Sequence, residues 1–177
     1  MSGETMDIYI WQDFCQTAHT IKVYAGCCTK YANKMRKQKR IFEWLIILIP
    51  AIGASLFPLS EYFTLGAAIL TSLGGVIEKI APIATQPESE LCEIDTLQTK
   101  FNRLLTDFES RFHDFRMDPN VTDIKIKEFL KSKKTALSEM TTKLDKLVRK
   151  SPDSDNLNDI ADEYIKEKFS INSTSNG

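Results

Sequence analysis

The side chains that could bind a metal ion or act as nucleophiles are few and scattered. The thiols and imidazoles are those of Cys15, Cys27, Cys28, Cys92, His19 and His113. No two cysteines have CxxC spacing, and a zinc site would need ligands from separate helices. We therefore expect no metal and no cofactor. Cys27 and Cys28 are open to lipidation as a pair, but we favour a packing role for Cys28 and a surface position for Cys27.

Motifs that mark common active sites are missing from the sequence. It has no glycine-rich phosphate loop, no GxSxG or HExxH motif and no Cys/His pair at catalytic spacing. The carboxylates follow the polar faces of predicted helices and do not converge in any segment. We predict that the protein is not an enzyme, although a site assembled between subunits would leave no local motif.

An apolar stretch over residues 41–84 is the feature around which the chain is organised. Neither Trp44–Ser60 nor Tyr62–Ile77 contains a charged residue, and only Glu61 separates these runs. Each run has about 16–17 residues, at the short end of what a helix needs to cross a bilayer core, and neither has a polar face. The stretch predicts a transmembrane helical hairpin that turns at residues 57–61. The alternative is a buried hairpin in a soluble helical protein.

The charges around the hairpin predict its topology. Five positive charges lie within residues 34–40, directly before the first run, whereas the turn carries only Glu61. The positive-inside rule then places both termini in the cytoplasm. Trp44 and Tyr62 begin the two runs, and amphipathic aromatic side chains sit well at headgroup level.

Several hairpin residues are candidates for helix packing or for lining a pore. Small residues spaced four apart let helix backbones approach each other in lipid. Pro50 is either a gating kink or a packed bend. Glu78 and Lys79 are ionisable residues near the inner end, or ordinary snorkelling residues. The full set is Pro50, Ala51, Ser55, Ala67, Thr71, Gly75, Glu78 and Lys79.

The N-terminal segment, residues 1–40, predicts one long cytoplasmic amphipathic helix over residues 5–40. Its apolar residues repeat with the alternating 3-4 spacing of a coiled-coil-like seam. No turn signal precedes Ile41, so we expect the helix to continue into the hairpin as one rod. The seam is also our candidate for self-association, and it consists of Trp11, Phe14, Ala18, Ile21, Ala25, Cys28, Ala32 and Met35.

Residues 85–169 predict a cytoplasmic helical bundle, and residues 170–177 a disordered polar tail. The expected helices are Ser89–Met117, Thr122–Lys150 and Asp155–Phe169. Residues 86–118 hold eight acids and four bases, while residues 122–150 hold nine bases and four acids. This reversal of charge favours an antiparallel pair. The last helix is acidic and is expected to dock on the basic one.

The basic helix has two further interpretations, since its lysines are suited to anionic lipid or to nucleic acid. It lacks interleaved aromatic residues and any RNA-binding or DNA-reading motif, so we favour a solvated bundle surface and expect no direct nucleic-acid binding. The net charge of −1 gives no sign of a polyanionic partner either. The predicted fold is therefore all-α, with a two-helix transmembrane hairpin and long cytoplasmic helices packed as a coiled-coil-like bundle.

This order of parts resembles the SLATT domain, a two-transmembrane effector family of bacterial conflict systems. The likeness rests on residues 31–36 (YANKMR) leading into Trp44, on the small-residue hairpin with Pro58 at its turn, and on the helices after Pro87. It covers nearly the whole chain and is a likeness of architecture, without a diagnostic catalytic or ligand-binding motif.

The resemblance implies a pore-forming effector of the bacterial inner membrane that acts in antiviral defence. Such effectors are thought to respond to a nucleotide-signalling or reverse-transcriptase partner and to kill or arrest the infected cell. A two-helix hairpin cannot enclose an aqueous path alone, so we expect a homo-oligomer in contact with the lipid bilayer. The alternatives are a non-enzymatic membrane anchor or scaffold for a cytoplasmic partner, and a soluble helical interaction module.

Overall fold

The computed structural model describes residues 8–56, 61–118, 120–148 and 155–169. Over these residues the protein is all-α, which confirms the predicted helical class. The helices are α1 (Ile8–Leu56), α2 (Glu61–Ala84), α3 (Glu88–Met117), α4 (Asp123–Leu147) and α5 (Asp155–Phe169). The expected hairpin turn around Pro58 and the expected tail over residues 170–177 lie outside the described residues.

Contacts divide the chain into two units. Unit 1 combines the described residues up to Tyr31 with those from Glu93 onward, and unit 2 is Ala32–Cys92. Unit 2 extends beyond the apolar stretch, residues 41–84, at both ends. It also includes the helical turns of α1 and α3 that the ion pair between Lys39 and Glu88 joins. Helix α1 continues from Ile8 to Leu56 with Pro50 inside it, which confirms that the N-terminal helix and the first apolar run form one continuous helix.

An aromatic cluster joins the four helical segments of unit 1. The ring centroid of Phe14 in α1 lies 4.7 Å from that of Phe108 in α3. It also lies 6.0 Å from Phe129 in α4 and 6.0 Å from Phe169 in α5. Phe14 and Phe108 are completely buried. Buried aromatic side chains remove large apolar areas from water, so this cluster contributes strongly to the stability of unit 1.

Ion pairs between α3 and α4 confirm the predicted antiparallel arrangement. Asp107 pairs with Lys133 at 2.6 Å, and Glu93 pairs with Lys143 at 3.1 Å. The residue nearer the start of α3 thus pairs with the residue nearer the end of α4. All four side chains are partly exposed, and such pairs each contribute at most about 1 kcal/mol. They help to select the antiparallel orientation more than they stabilise the fold.

Helix α5 packs on α1 and α3. A Cβ atom built on Gly26 would lie 2.6 Å from Leu157 Cδ2, so Leu157 sits directly on the glycine. Tyr164 donates a hydrogen bond to Glu109 of α3, and Lys22 Nζ lies 4.4 Å from the centroid of the Tyr164 ring. The described contacts of α5 are thus with α1 and α3, and not with the basic helix α4 on which docking was expected.

Three cations of α4 pair with acids of α1 and α3 and not with α5. Lys134 pairs with Asp13 of α1 at 2.6 Å, while Lys133 and Lys143 pair with acids of α3. Helix α5 instead packs on α1 where Gly26 allows a close approach. The contact that fixes its position there is mainly apolar.

Candidate functional site

Small residues close the hairpin that α1 and α2 form in unit 2. A Cβ atom on Gly53 would lie 3.2 Å from the carbonyl oxygen of Ala67 and 3.2 Å from Thr71 Oγ1. Ala67 is only 3% exposed. The two backbones therefore approach closely along a face that has little side-chain volume, which is the packing mode expected of helices in lipid.

Pro50 takes part in the same helix–helix contact. A Cβ atom on Gly74 would lie 2.9 Å from Pro50 Cγ and 3.3 Å from Pro50 Cδ. The proline ring occupies the space that Gly74 leaves open, so this geometry favours the packed bend over the gating kink. Gly53 and Gly74 were missed from sequence. A signal was present in the sequence: Gly53 lies one helical turn after Pro50, and Gly74 lies one helical turn after Thr71.

The hydroxyl groups of the hairpin bond to their own helices. Thr71 Oγ1 donates to the carbonyl oxygen of Ala67 at 2.9 Å, Ser72 Oγ to that of Ala68 at 2.8 Å, and Ser55 Oγ to that of Ile52 at 2.8 Å. Such bonds satisfy the hydroxyl donors without water. These polar side chains can therefore be held in apolar surroundings.

The remaining candidates of the hairpin set lie on its outside. Ala51, Ser55, Gly75, Glu78 and Lys79 are exposed, and a Cβ atom on Gly75 would meet nothing within 4 Å. The structure thus brings Pro50, Ala67 and Thr71 together in the helix–helix contact and leaves the other five candidates free of it.

Large apolar side chains cover the outer surface of unit 2. Ile47 is 66% exposed and Trp44 is 61% exposed. The exposed large residues on α1 and α2 are Ile41, Trp44, Leu45, Ile47, Leu48, Ile52, Ile69, Leu73, Val76 and Ile80. Soluble monomers rarely expose extended apolar surfaces, which usually mark contacts with proteins, membranes or ligands. We define this set as the apolar surface of unit 2.

The predicted self-association seam is largely buried inside one chain. Phe14, Ala18, Ile21, Ala25, Cys28 and Ala32 are each at most 5% exposed, while Trp11 and Met35 are partly exposed. In unit 1 its partners are α3, α4 and α5: the ring centroids of Trp11 and Phe112 of α3 lie 4.6 Å apart, and Phe14 also contacts rings of α4 and α5. In this conformation the seam forms an intrachain core.

The thiols and imidazoles do not form a shared site. Burial raises the pKa of Cys28 to about 12 and also raises the pKa of Cys15 and Cys27, so these thiols stay protonated at neutral pH. Cys28 is buried, as its predicted packing role requires, and Cys27 is partly exposed. In the parts of the chain that the structure describes, no three metal-ligating side chains converge.

No protein-family model, curated protein or solved structure matches this chain. Over the described residues, none of the helices combines the length and the apolarity that crossing a bilayer requires.

Proposed function

We propose that the protein is a membrane-embedded, oligomerising effector whose hairpin, residues 41–84, inserts into a lipid bilayer and permeabilises it. The observation that carries this proposal is the apolar surface of unit 2. Exposure of such a surface to water is unfavourable in free energy, whereas its contact with acyl chains does not carry this cost. The internally bonded hydroxyls and the small-residue packing of the hairpin also suit an apolar solvent.

The apolar runs are short for a bilayer, and the proposal includes how they would be accommodated. At 1.5 Å per residue, a run of about 17 residues reaches roughly 25 Å, against a hydrocarbon core of about 30 Å. Local thinning of the bilayer makes up such a difference at a cost of fractions of a kcal/mol per Å. Snorkelling of Lys79 and an interfacial position of Trp44 would shorten the gap further.

The architecture of the sequence supports placing the protein in the SLATT-type effector family. On this proposal it lies in a bacterial inner membrane, with two spans and both termini in the cytoplasm. Unit 1 would receive a signal from a nucleotide-signalling or reverse-transcriptase partner. Several hairpins would then assemble into a leak that ends in death or arrest of the infected cell.

Dye release from liposomes tests this function. The full-length protein is reconstituted into vesicles that contain a self-quenched dye, and release is followed with increasing protein-to-lipid ratio. We expect release to rise more steeply than linearly, because a single hairpin cannot enclose a water-filled path. A variant with residues 44–77 exchanged for an unrelated transmembrane hairpin should stay bound and release no dye. Absence of release under every activating condition would contradict the proposal.

A membrane anchor or scaffold is the second candidate, and one observation favours it. Gly53, Ala67 and Gly74 are used inside the hairpin, so these small residues are not free to contact other subunits. The hairpin exchange separates the two functions: an anchor keeps its cellular activity after the exchange, and a pore loses it.

A further inference from the structure

Of the five cations in residues 34–40, Arg36 and Lys39 interact with other residues, and the other three form no ion pair in the described ranges. Lys39 Nζ donates a hydrogen bond to Glu88 Oε2 at 2.8 Å. This ion pair raises the pKa of Lys39 and lowers that of Glu88, so the two charges balance each other. Lys34, Lys37 and Arg40 are exposed, and no residue in the described ranges forms an ion pair with them.

The unpaired cations share one side of α1. At about 100° per residue, Lys34 and Arg40 each lie about 60° from Lys37 around the helix axis. The paired Lys39 lies about 160° away, and the nearby acid Glu43 lies about 120° away. No acidic residue of this part of α1 therefore lies within about 60° of Lys37. We define Lys34, Lys37 and Arg40 as the basic strip.

The basic strip runs directly into the apolar surface of unit 2. Ile41, Trp44 and Leu48 lie within about 40° of Lys37 around the axis, and all three are exposed. Along the axis, Arg40 precedes Trp44 by about 6 Å and Lys37 precedes it by about 10 Å. One side of a single helix thus changes from cationic to apolar within about two turns, with a tryptophan at the boundary.

These distances match the layers of one leaflet. The headgroup region on each side of a bilayer is roughly 5–8 Å thick, and tryptophan prefers the boundary between headgroups and acyl chains. With Trp44 at that boundary, Arg40 and Lys37 reach the level of the lipid phosphates, and their flexible side chains extend this reach.

We propose that the basic strip binds the headgroups of anionic phospholipids in the leaflet next to it. This inference rests on the proposed insertion of the hairpin. Charge complementarity requires an anionic occupant, and the continuity with the apolar surface requires that the same occupant be apolar one turn further on. An anionic phospholipid leaflet meets both requirements, whereas a nucleic acid or an acidic peptide meets only the first.

Binding of the full-length protein to two kinds of vesicle tests this assignment. One kind is phosphatidylcholine alone, and in the other about a third of the lipid is phosphatidylglycerol. The test variant is K34Q/K37Q/R40Q. The matched control is K100Q/K125Q/K146Q, which removes three exposed cations from unit 1 that have no described ion pair and changes the net charge equally.

We expect the unchanged protein to prefer the anionic vesicles by about fivefold for each cation of the strip, on the order of 100-fold for all three. The test variant should lose most of this preference and the control should keep it. High salt should weaken the preference of the unchanged protein, because the strip is exposed to solvent.

Four other outcomes would overturn the inference. Equal binding to both vesicles removes the anionic preference but leaves insertion of the hairpin standing. Binding to neither vesicle contradicts insertion itself. Loss of preference in the control alone moves the lipid contact to unit 1. Release from anionic vesicles by a single-stranded DNA oligomer at matched phosphate concentration would assign the strip to nucleic acid.

Discussion

Units 1 and 2 are both helical, but they bury opposite kinds of side chain. Unit 1 buries a cluster of large aromatic residues, and Phe108 is 0% exposed at its centre. Where α1 and α2 pack in unit 2, the buried residues are small, with Ala67 at 3% exposure, while Ile47 is 66% exposed; the buried Leu91 of this unit lies in α3, outside that contact. One unit is arranged as a core with large residues inside, and the other as a contact of small residues with the large ones outside.

This contrast shows which force each unit relies on. In water, burial of large apolar side chains is the main favourable term, and the aromatic cluster of unit 1 uses it. Between helices in lipid that term vanishes, and association depends on close backbone packing. The contact of Gly53 and Gly74 with α2 and Pro50 is of the second kind. Unit 2 therefore has the pattern expected of helices in an apolar solvent, which is the basis of its proposed insertion.

The largest expected effect comes from shortening one large side chain in each unit. Phe108→Ala should lower the free energy of unfolding by about 3–5 kcal/mol, because it empties the centre of the aromatic cluster. Ile47→Ala should change it by less than about 0.5 kcal/mol, as for other exposed positions. Denaturant unfolding measures both losses, followed by Trp11 fluorescence in a Trp44→Phe background for Phe108→Ala and by Trp44 fluorescence in a Trp11→Phe background for Ile47→Ala. Equal losses would mean that Ile47 belongs to a core and would remove the contrast.

Two neighbouring glycines allow a sharper comparison within unit 2. Gly74→Leu should destabilise the hairpin by about 1–3 kcal/mol, since its new side chain would overlap the Pro50 ring. Gly75→Leu is the matched control, because its Cβ atom would meet nothing within 4 Å and the gain in helix propensity is the same. Thermal unfolding in detergent compares the two variants. A larger loss for Gly75→Leu would show that the wrong face has been assigned to the contact.

In unit 1, Gly26 should behave less severely than Gly74. Gly26→Leu forces Leu157 to move, but Leu157 meets the glycine with the end of a flexible side chain. The overpacking is also offset by about 1 kcal/mol of helix propensity. We expect a net loss of about 1 kcal/mol and faster amide hydrogen exchange in α5. Adding Leu157→Ala should restore the slow exchange, and failure to do so would argue against a direct contact.

The smallest effect is expected at the Lys39–Glu88 ion pair, which is exposed to solvent. The pair lowers the pKa of Glu88 from its ordinary value of 4.5. Its contribution is therefore present above pH 4.5 and is lost as the pH falls through the lowered pKa. It also raises the pKa of Lys39 from 10.5, so the contribution of Lys39 is present below pH 10.5 and is lost as the pH rises through the raised pKa.

Glu88→Gln should return the pKa of Lys39 toward its ordinary value with little change in stability. NMR titration of the Lys39 side chain, with and without the substitution, measures this shift. An unchanged pKa for Lys39 would show that the pair does not form in solution.

Much of the fold follows from the sequence because local signals are strong. Heptad spacing identified the buried residues of α1, and the bounds of α5, Asp155–Phe169, match the predicted helix. Helix α4 ends at Leu147, three residues before its predicted end. The antiparallel pairing of α3 and α4 followed from their opposite charges. These features depend on residues close in sequence or on net charge, which periodicity and composition report.

The partners of each face could not be predicted from the same signals. A heptad seam shows that a partner exists, but it does not show whether the partner lies in the same chain, and the seam of α1 proved to be intrachain. The spacing from Thr71 favours Gly75 over Gly74 as a packing residue. Spacing along α2 carries no information on where the Pro50 ring lies, so it could not identify Gly74. Likewise, nothing in the spacing of α1 indicates that Gly26 provides the contact surface for Leu157.

Lipid quenching of the two tryptophans tests the central claim most directly, because one lies in each unit. Trp11→Phe leaves only Trp44, and Trp44→Phe leaves only Trp11. In vesicles of phospholipids brominated at the upper acyl chain, we predict strong quenching of Trp44 and none of Trp11. If Trp44 is quenched no more than Trp11, the apolar surface of unit 2 does not meet lipid, and the proposed membrane function is contradicted.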